Sequence, residues 1–257
     1  MSLFARIAYF VSLFIFFAFN AQAATTPDTS QGNTHHSMPK GAIDHNAKES
    51  HAKESHATES PAGADSMEND VVKLRTDWAI AKFQTPKSKQ IPEFEQLIKR
   101  AEALNQKYPR NPEVMTWYAT CLSTYASIKG GLGVLPHVKK AKALLEEAIA
   151  INGKVENGFA HGVLGALYAR VPGWPIAFGN KDKARSNLQM AVQISPQGSD
   201  SNYYYGDFLV DSGNYEEARR HLETAQHAPV RKGYEIQDRG RKEEIAASLA
   251  KLRRLGH

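Results

Sequence analysis

Residues 202–229 read NYYYGDFLVDSGNYEEARRHLETAQHAP, and this stretch decides the fold. Apolar residues recur in it at spacings of three and four, the mark of a helix with one buried face. The stretch reads as one unit of two paired helices. The second helix carries Ala218, Leu222 and Ala225 in a small-large-small order. The same order stands 34 residues upstream as Ala184, Leu188 and Ala191. Gly165 and Gly206 precede the two sets, and Pro196 and Pro229 close them. A period of 34 built on a helix pair is a solenoid signature. Small residues where the helices cross allow close approach, and Leu and aromatics fill the space between turns.

Working outward, a weaker unit has Ala119 and Leu122 on its first helix and Ala141, Leu145 and Ala148 on its second. About ten extra residues around Ile128 to Pro136 separate the two. A further pair, near Glu68 to Phe83 and Ile91 to Lys107, keeps only helical periodicity. Residues from about Gln237 to Leu255 form a charged terminal helix, the usual way to cap a solenoid. No stretch of useful length alternates at period two. The expectation is an all-α solenoid of about four helical hairpins plus a C-terminal capping helix, over residues 70–257.

These residues resemble the tetratricopeptide repeat (TPR) family. Tyr205-Gly206, Leu209, Tyr215, Ala218, Leu222, Ala225 and Pro229 occupy its motif positions, as do Leu164-Gly165, Tyr168, Ala184, Leu188, Ala191 and Pro196. Asn202 stands where a Trp is usual, and the closing Pro229 arrives one residue early. Gly165 and Gly206 lie 41 residues apart rather than 34, because Val171 to Asn180 carries seven extra residues. That insertion, VPGWPIAFGN, holds two Pro and two Gly, with Trp174 and Phe178 in need of packing partners. Together with residues 202–209, 228–231 and 240–243 it resembles the TPR-type component associated with TRAP transporters, over roughly residues 110–250. That resemblance implies a periplasmic accessory component that contacts a solute-binding protein, homo-oligomerises and handles a small hydrophobic or acidic ligand in a groove. Members are often lipoproteins, whereas no Cys stands at the end of the apolar leader here, the single Cys being Cys121.

The groove expected from the resemblance has three walls. Thr116, Thr120 and Ser123 form the first; Gly162, Ala166, Ala169 and Arg170 the second; Tyr203, Asp207, Val210 and Asp211 the third. The nearly bare middle wall leaves room for a ligand or peptide helix, with Trp174 and Phe178 at one end and Arg231 nearby. The alternative is that small residues there admit the C-terminal helix into the groove, and that Trp174 plugs a loop.

The chain of 257 residues has 32 Lys and Arg, 27 Asp and Glu and a net charge of +5, spread over three unlike segments. Residues 1–23 read as a secretory signal. Arg6 precedes the apolar run Ile7 to Phe19, and Ala21-Gln22-Ala23 offers a cleavage site. These thirteen residues, apolar or aromatic apart from Ser12, are too few for a spanning helix, which takes about 20. Export to the periplasm, with cleavage after Ala23, is expected. Residues 24–69 are polar, with three Lys against seven acids, and are expected to remain a disordered acidic tether. With Arg6 in the signal and −4 on the tether, residues 70–257 carry +8. Between Arg219 and His257 stand ten Lys and Arg against five acids, suited to a solvated face, an anionic membrane surface or an acidic partner.

The tether holds His35, His36, His45, His51 and His56, partly in a tandem of five-residue steps. A metal buffer is one reading of this tract. Five residues turn a helix by about 140°, so these imidazoles diverge, and a solvated tether is the favoured reading. No metal site and no cofactor are assigned. The sequence has no nucleophile elbow, phosphate loop or H-E-x-x-H motif. Cys121, within a helical stretch, is expected to be buried and inert. A binding scaffold rather than an enzyme is expected, either an accessory of solute uptake or an organiser of envelope proteins, with no nucleic-acid partner.

Overall fold

The computed structural model describes residues 61–257, so the signal, the cleavage site and the His tract lie outside the described residues. Four helical hairpins follow one another: α1 (Pro61–Ala79) with α2 (Lys87–Lys107), α3 (Pro112–Lys129) with α4 (Leu135–Ile151), α5 (Phe159–Arg170) with α6 (Lys181–Ile194), and α7 (Ser199–Asp211) with α8 (Tyr215–His227). A single helix, α9 (Glu235–Arg254), ends the array. The described residues form an all-α, TPR-type solenoid, with no named strand among them. None of the described helices is long and apolar enough to cross a membrane.

Local chemistry sets the helix starts. Asn111 accepts hydrogen bonds from the Glu113 and Val114 amides at 3.0 and 2.9 Å, and Pro112 takes the first helical position. Asn180 caps α6 in the same way, accepting from the Lys183 amide at 2.9 Å. The 34-residue repeat has a direct packing meaning. A Cβ on Gly165 would lie 2.6 Å from Leu188 Cγ, and one on Gly206 would lie 2.8 Å from Leu222 Cγ. Each Gly therefore lets the second helix of its hairpin press a Leu against the first. Ala184, Leu188, Ala191, Ala218, Leu222 and Ala225 are all fully buried.

Two boundaries differ from expectation. Helix α1 begins at Pro61, inside the stretch assigned to the tether. Met67 packs on the core, and Asp70 accepts from Lys107 at 2.9 Å and Tyr108 at 2.8 Å, which fixes this polar turn to α2. At its other end α1 runs into a π-helical turn, Ile80–Gln84.

The first helix of each hairpin contributes one large aromatic to a continuous column. Trp78 of α1 lies 5.5 Å from Trp117 of α3, Trp117 5.2 Å from Phe159 of α5, and Phe159 6.2 Å from Tyr204 of α7, between ring centroids. Such contacts fall in the range at which aromatic pairs attract beyond simple burial. Polar ends are satisfied: Trp78 Nε1 donates to Thr124 Oγ1 at 3.0 Å, and Trp117 Nε1 donates to Glu156 Oε1 at 2.7 Å. This column fills the side on which the groove was expected.

Candidate functional site

Helix α9 lies across the inner side of the array, reaching from α7 and α8 back to the first hairpin. Gly240 makes this possible, because a Cβ there would sit 2.2 Å from the Phe83 ring. Arg241 is fully buried, its guanidinium 4.4 Å from the Tyr203 ring centroid and 4.8 Å from that of Tyr204. Its Nε donates to Asp200 Oδ1 at 2.9 Å, Nη1 to Glu244, and Nη2 to the Tyr204 hydroxyl at 3.1 Å. Asp200 also accepts from Gln237 at 2.9 Å and from Arg231 at 2.8 Å. Burial opposes ionisation of Asp200, but Arg241 and Arg231 outweigh it and hold the carboxyl below its ordinary range. Toward the first hairpin, Lys82 pairs with Glu244 at 2.9 Å, and the Arg75 guanidinium lies 3.6 Å from the Tyr234 ring centroid.

The small residues of the groove therefore accept the protein's own side chains and helix. Gly162 does not leave a vacancy: a Cβ there would lie 2.9 Å from Tyr204 Cδ2. Tyr203 is buried beneath Arg241. Arg231 donates from its backbone amide and its guanidinium to Asp238, and fixes the turn before α9 to Asp200. The expected first wall is internal as well. Thr116 and Thr120 are buried, and their hydroxyls, with that of Ser123, donate to helix carbonyls one turn back at 2.7 Å. Trp78 and Trp117 pack α1 against α3 over that face.

A second group of the expected residues does meet at the surface. Arg170 Nη2 and Asp207 Oδ2 pair at 2.5 Å where α5 and α7 end. With Ala166, Ala169, Lys181, Tyr204 and Asp211 among its other lining residues, they border a cleft of about 50 Å³, far below the ~300–1,000 Å³ of a small-molecule site. Ser248 and Lys251 of α9 form its rim through Asp207 and Asp211, at 3.4 and 2.9 Å. The Arg170 side chain is half exposed; what burial it has opposes its charge, but Asp207 outweighs this and tightens its hold on the proton. The cleft can take one side chain of a partner rather than enclose a ligand.

The insertion Val171–Asn180 borders this cleft and is ordered by its backbone. Gly179 N–H donates to Pro172 O at 2.9 Å, Asn180 N–H to Tyr168 O at 2.9 Å, and Ile176 N–H to Gly173 O at 3.1 Å. Phe178 packs edge-on against Tyr168 at 5.7 Å, as expected of a residue needing a partner. Trp174 corrects that expectation: it plugs nothing and is 90 % exposed, with Ile176 beside it at 56 %. The main-chain bonds already order the loop without its indole.

Cys121 is fully buried in α3, and burial pushes its thiol well above the ordinary range. Among the described residues no group of three His, Cys, Asp or Glu is placed to hold a metal ion. Of the residues that organise the interior, Arg241 falls within the 240–243 stretch of the resemblance, whereas Trp78, Trp117, Phe159 and Asp200 belong to no motif. The three aromatics carry only the signal of one large ring per first helix, at steps too uneven to register as a repeat.

No protein-family model and no curated protein matches the chain. Among solved structures it is similar to TTC0263, a thermophilic TPR protein of Thermus thermophilus. That likeness has 15% identity and a TM-score of 0.39, over 72% of this chain and 99% of that one. It is also similar to the MamA protein, at 15% identity and a TM-score of 0.38, over 72% of this chain and 91% of that one.

Proposed function

We propose that the chain is an exported scaffold that binds a protein partner at the α5–α7 edge, as the accessory component of a periplasmic TRAP-type uptake system. Its partner in this reading is the solute-binding protein. The observation that carries the choice of surface is the occupation of the inner groove by α9, with Arg241 buried at its centre. A helix or peptide from a partner finds that groove filled, whereas the Arg170–Asp207 edge is open. The cleft there suits an interdigitating side chain and is too small for a solute, which favours protein contact over ligand handling. The uptake assignment itself rests on the resemblance of residues 171–180 and 202–209.

The test is affinity capture of the tagged protein from envelope extracts, with mass spectrometry of what is retained. Recovery of a solute-binding protein, lost in Asp207→Lys and in Ala169→Arg, is the expected result. Recovery of other envelope proteins through the same edge would leave the scaffold and remove the uptake role.

A further inference from the structure

The loop Val171–Asn180 contains no charged residue, and it displays Trp174 and Ile176 to solvent on an ordered backbone. Cations stand at both of its stems. Arg170 precedes it, and Lys181 and Lys183 follow within the first turn of α6. Lys142 and Lys183 approach from beneath: their Nζ atoms lie 5.8 Å from the Phe178 ring centroid and 5.6 Å from that of Tyr168. Nearby acids answer only part of this charge. Glu146 pairs with Lys142 and Asp207 with Arg170, while Lys181 and Lys183 make no ion pair within 4 Å among the described residues. Asp182 lies between them at the start of α6, where the helix N-terminus favours its negative charge.

From this arrangement we infer that the loop is a contact for an anionic lipid surface. The amphipathic indole of Trp174 enters the headgroup layer, with Ile176 reaching the acyl boundary and the lysines meeting lipid phosphates. The chemistry of each part favours that occupant. Trp is enriched where one end of a side chain is apolar and the other wet. An exposed apolar tip can enter a fluid interface without a complementary pocket, and an uncharged loop between basic stems brings no buried charge with it. Attachment of this kind draws on apolar burial and electrostatic attraction together, so it is reversible and salt-sensitive. Arg170 and Lys181 at the stems also line the Arg170–Asp207 cleft, whereas Trp174 and Ile176 do not, so Trp174→Ser is the variant that tests the loop tip apart from the partner proposed above.

The test uses the purified full chain with vesicles of phosphatidylcholine alone and with phosphatidylglycerol added at three parts in ten. Trp78 and Trp117 are buried, so Trp174 dominates the solvent-exposed indole emission. Co-sedimentation with the anionic vesicles and a blue shift of that emission are expected, both reduced by raised salt. Trp174→Ser is expected to weaken binding about tenfold or more. Lys181→Gln with Lys183→Gln is expected to weaken it by about fivefold per residue. Both variants alter exposed side chains, and unchanged far-UV circular dichroism confirms the fold. Absence of binding to anionic vesicles at low salt overturns the inference, as does binding that Trp174→Ser leaves intact. A Trp174 emission shift produced by a captured protein partner but not by vesicles overturns it too, and assigns the loop tip to that protein.

Discussion

Arg241 and Asp200 form a buried ion pair across 41 residues of sequence, with Nε donating to Oδ1 at 2.9 Å and the remaining donors of Arg241 bound by Glu244 and Tyr204. Removing Arg241 leaves buried Asp200 with Arg231 and Gln237 alone, and leaves the half-buried Glu244 with Lys82 alone. Arg241→Met is therefore expected to cost about 3–5 kcal/mol in urea unfolding. Adding Asp200→Asn to it should recover part of that loss. A double variant no more stable than Arg241→Met alone would show that Arg241 acts through packing on Tyr203 and Tyr204. Because the folded-state pKa of Asp200 is depressed, its contribution is present above about pH 4 and lost as pH falls through the folded value.

Gly240→Ala is the smallest change that should disturb the seat of α9. The new methyl would stand 2.2 Å from the Phe83 ring, and the ring must move or the helix must lift. A loss of about 1–3 kcal/mol is expected, despite the better helix propensity of Ala. Phe83→Leu in the same chain should return part of it, read from the urea midpoint.

Lys82 gives a pH signature of the same sign in the alkaline range. Burial and the nearby Arg241 charge lower its pKa to about 8, against the pull of Glu244. Between about pH 8 and its ordinary value of 10.5, the unfolded chain holds a proton that the folded chain has released. Stability should therefore rise with pH across this window, relative to Lys82→Met, by about 1–2 kcal/mol given its partial exposure. Parallel curves for the two proteins would refute the assignment.

Glu156 joins three parts of the array. Its carboxylate accepts from Trp117 of α3 at 2.7 Å and from the Tyr234 hydroxyl before α9 at 3.0 Å, while its own backbone has φ of +50°. Two charge-assisted bonds hold a conformation that costs on the order of 1 kcal/mol or more. Glu156→Ala is expected to destabilise by about 2–4 kcal/mol, and Glu156→Gln by roughly half as much. Hydrogen exchange should show the loss at both α3 and the start of α9.

The hairpins were legible in the sequence because their signal is local. Ala218, Leu222 and Ala225 repeat at a fixed period, and Gly165 and Gly206 mark the crossings that the structure confirms as tight. The interior of the array was harder to read. Gly162 looks the same in sequence whether the space above it is open or holds Tyr204, since the answer depends on helices far downstream in the chain. Arg231 and Arg241 count as part of a basic C-terminal surplus, yet their charges face inward to Asp200 and Asp238. Among the groove residues, Arg170, Asp207 and Asp211 combined legible position with a place at the surface cleft.

A helical array whose repeats touch only their neighbours can fray from either end, one unit at a time. Here the Arg75 guanidinium donates to the carbonyl of Gly233, 158 residues further along, and Glu244 holds Lys82. First and last units are thereby mutual supports, so neither end can peel away without costing the other its footing. Unfolding of residues 61–257 should be all-or-none rather than graded. Folding must wait for a closure between distant parts of the chain, which slows it relative to an open array of equal size. During synthesis the first hairpin would emerge long before the helix that completes it.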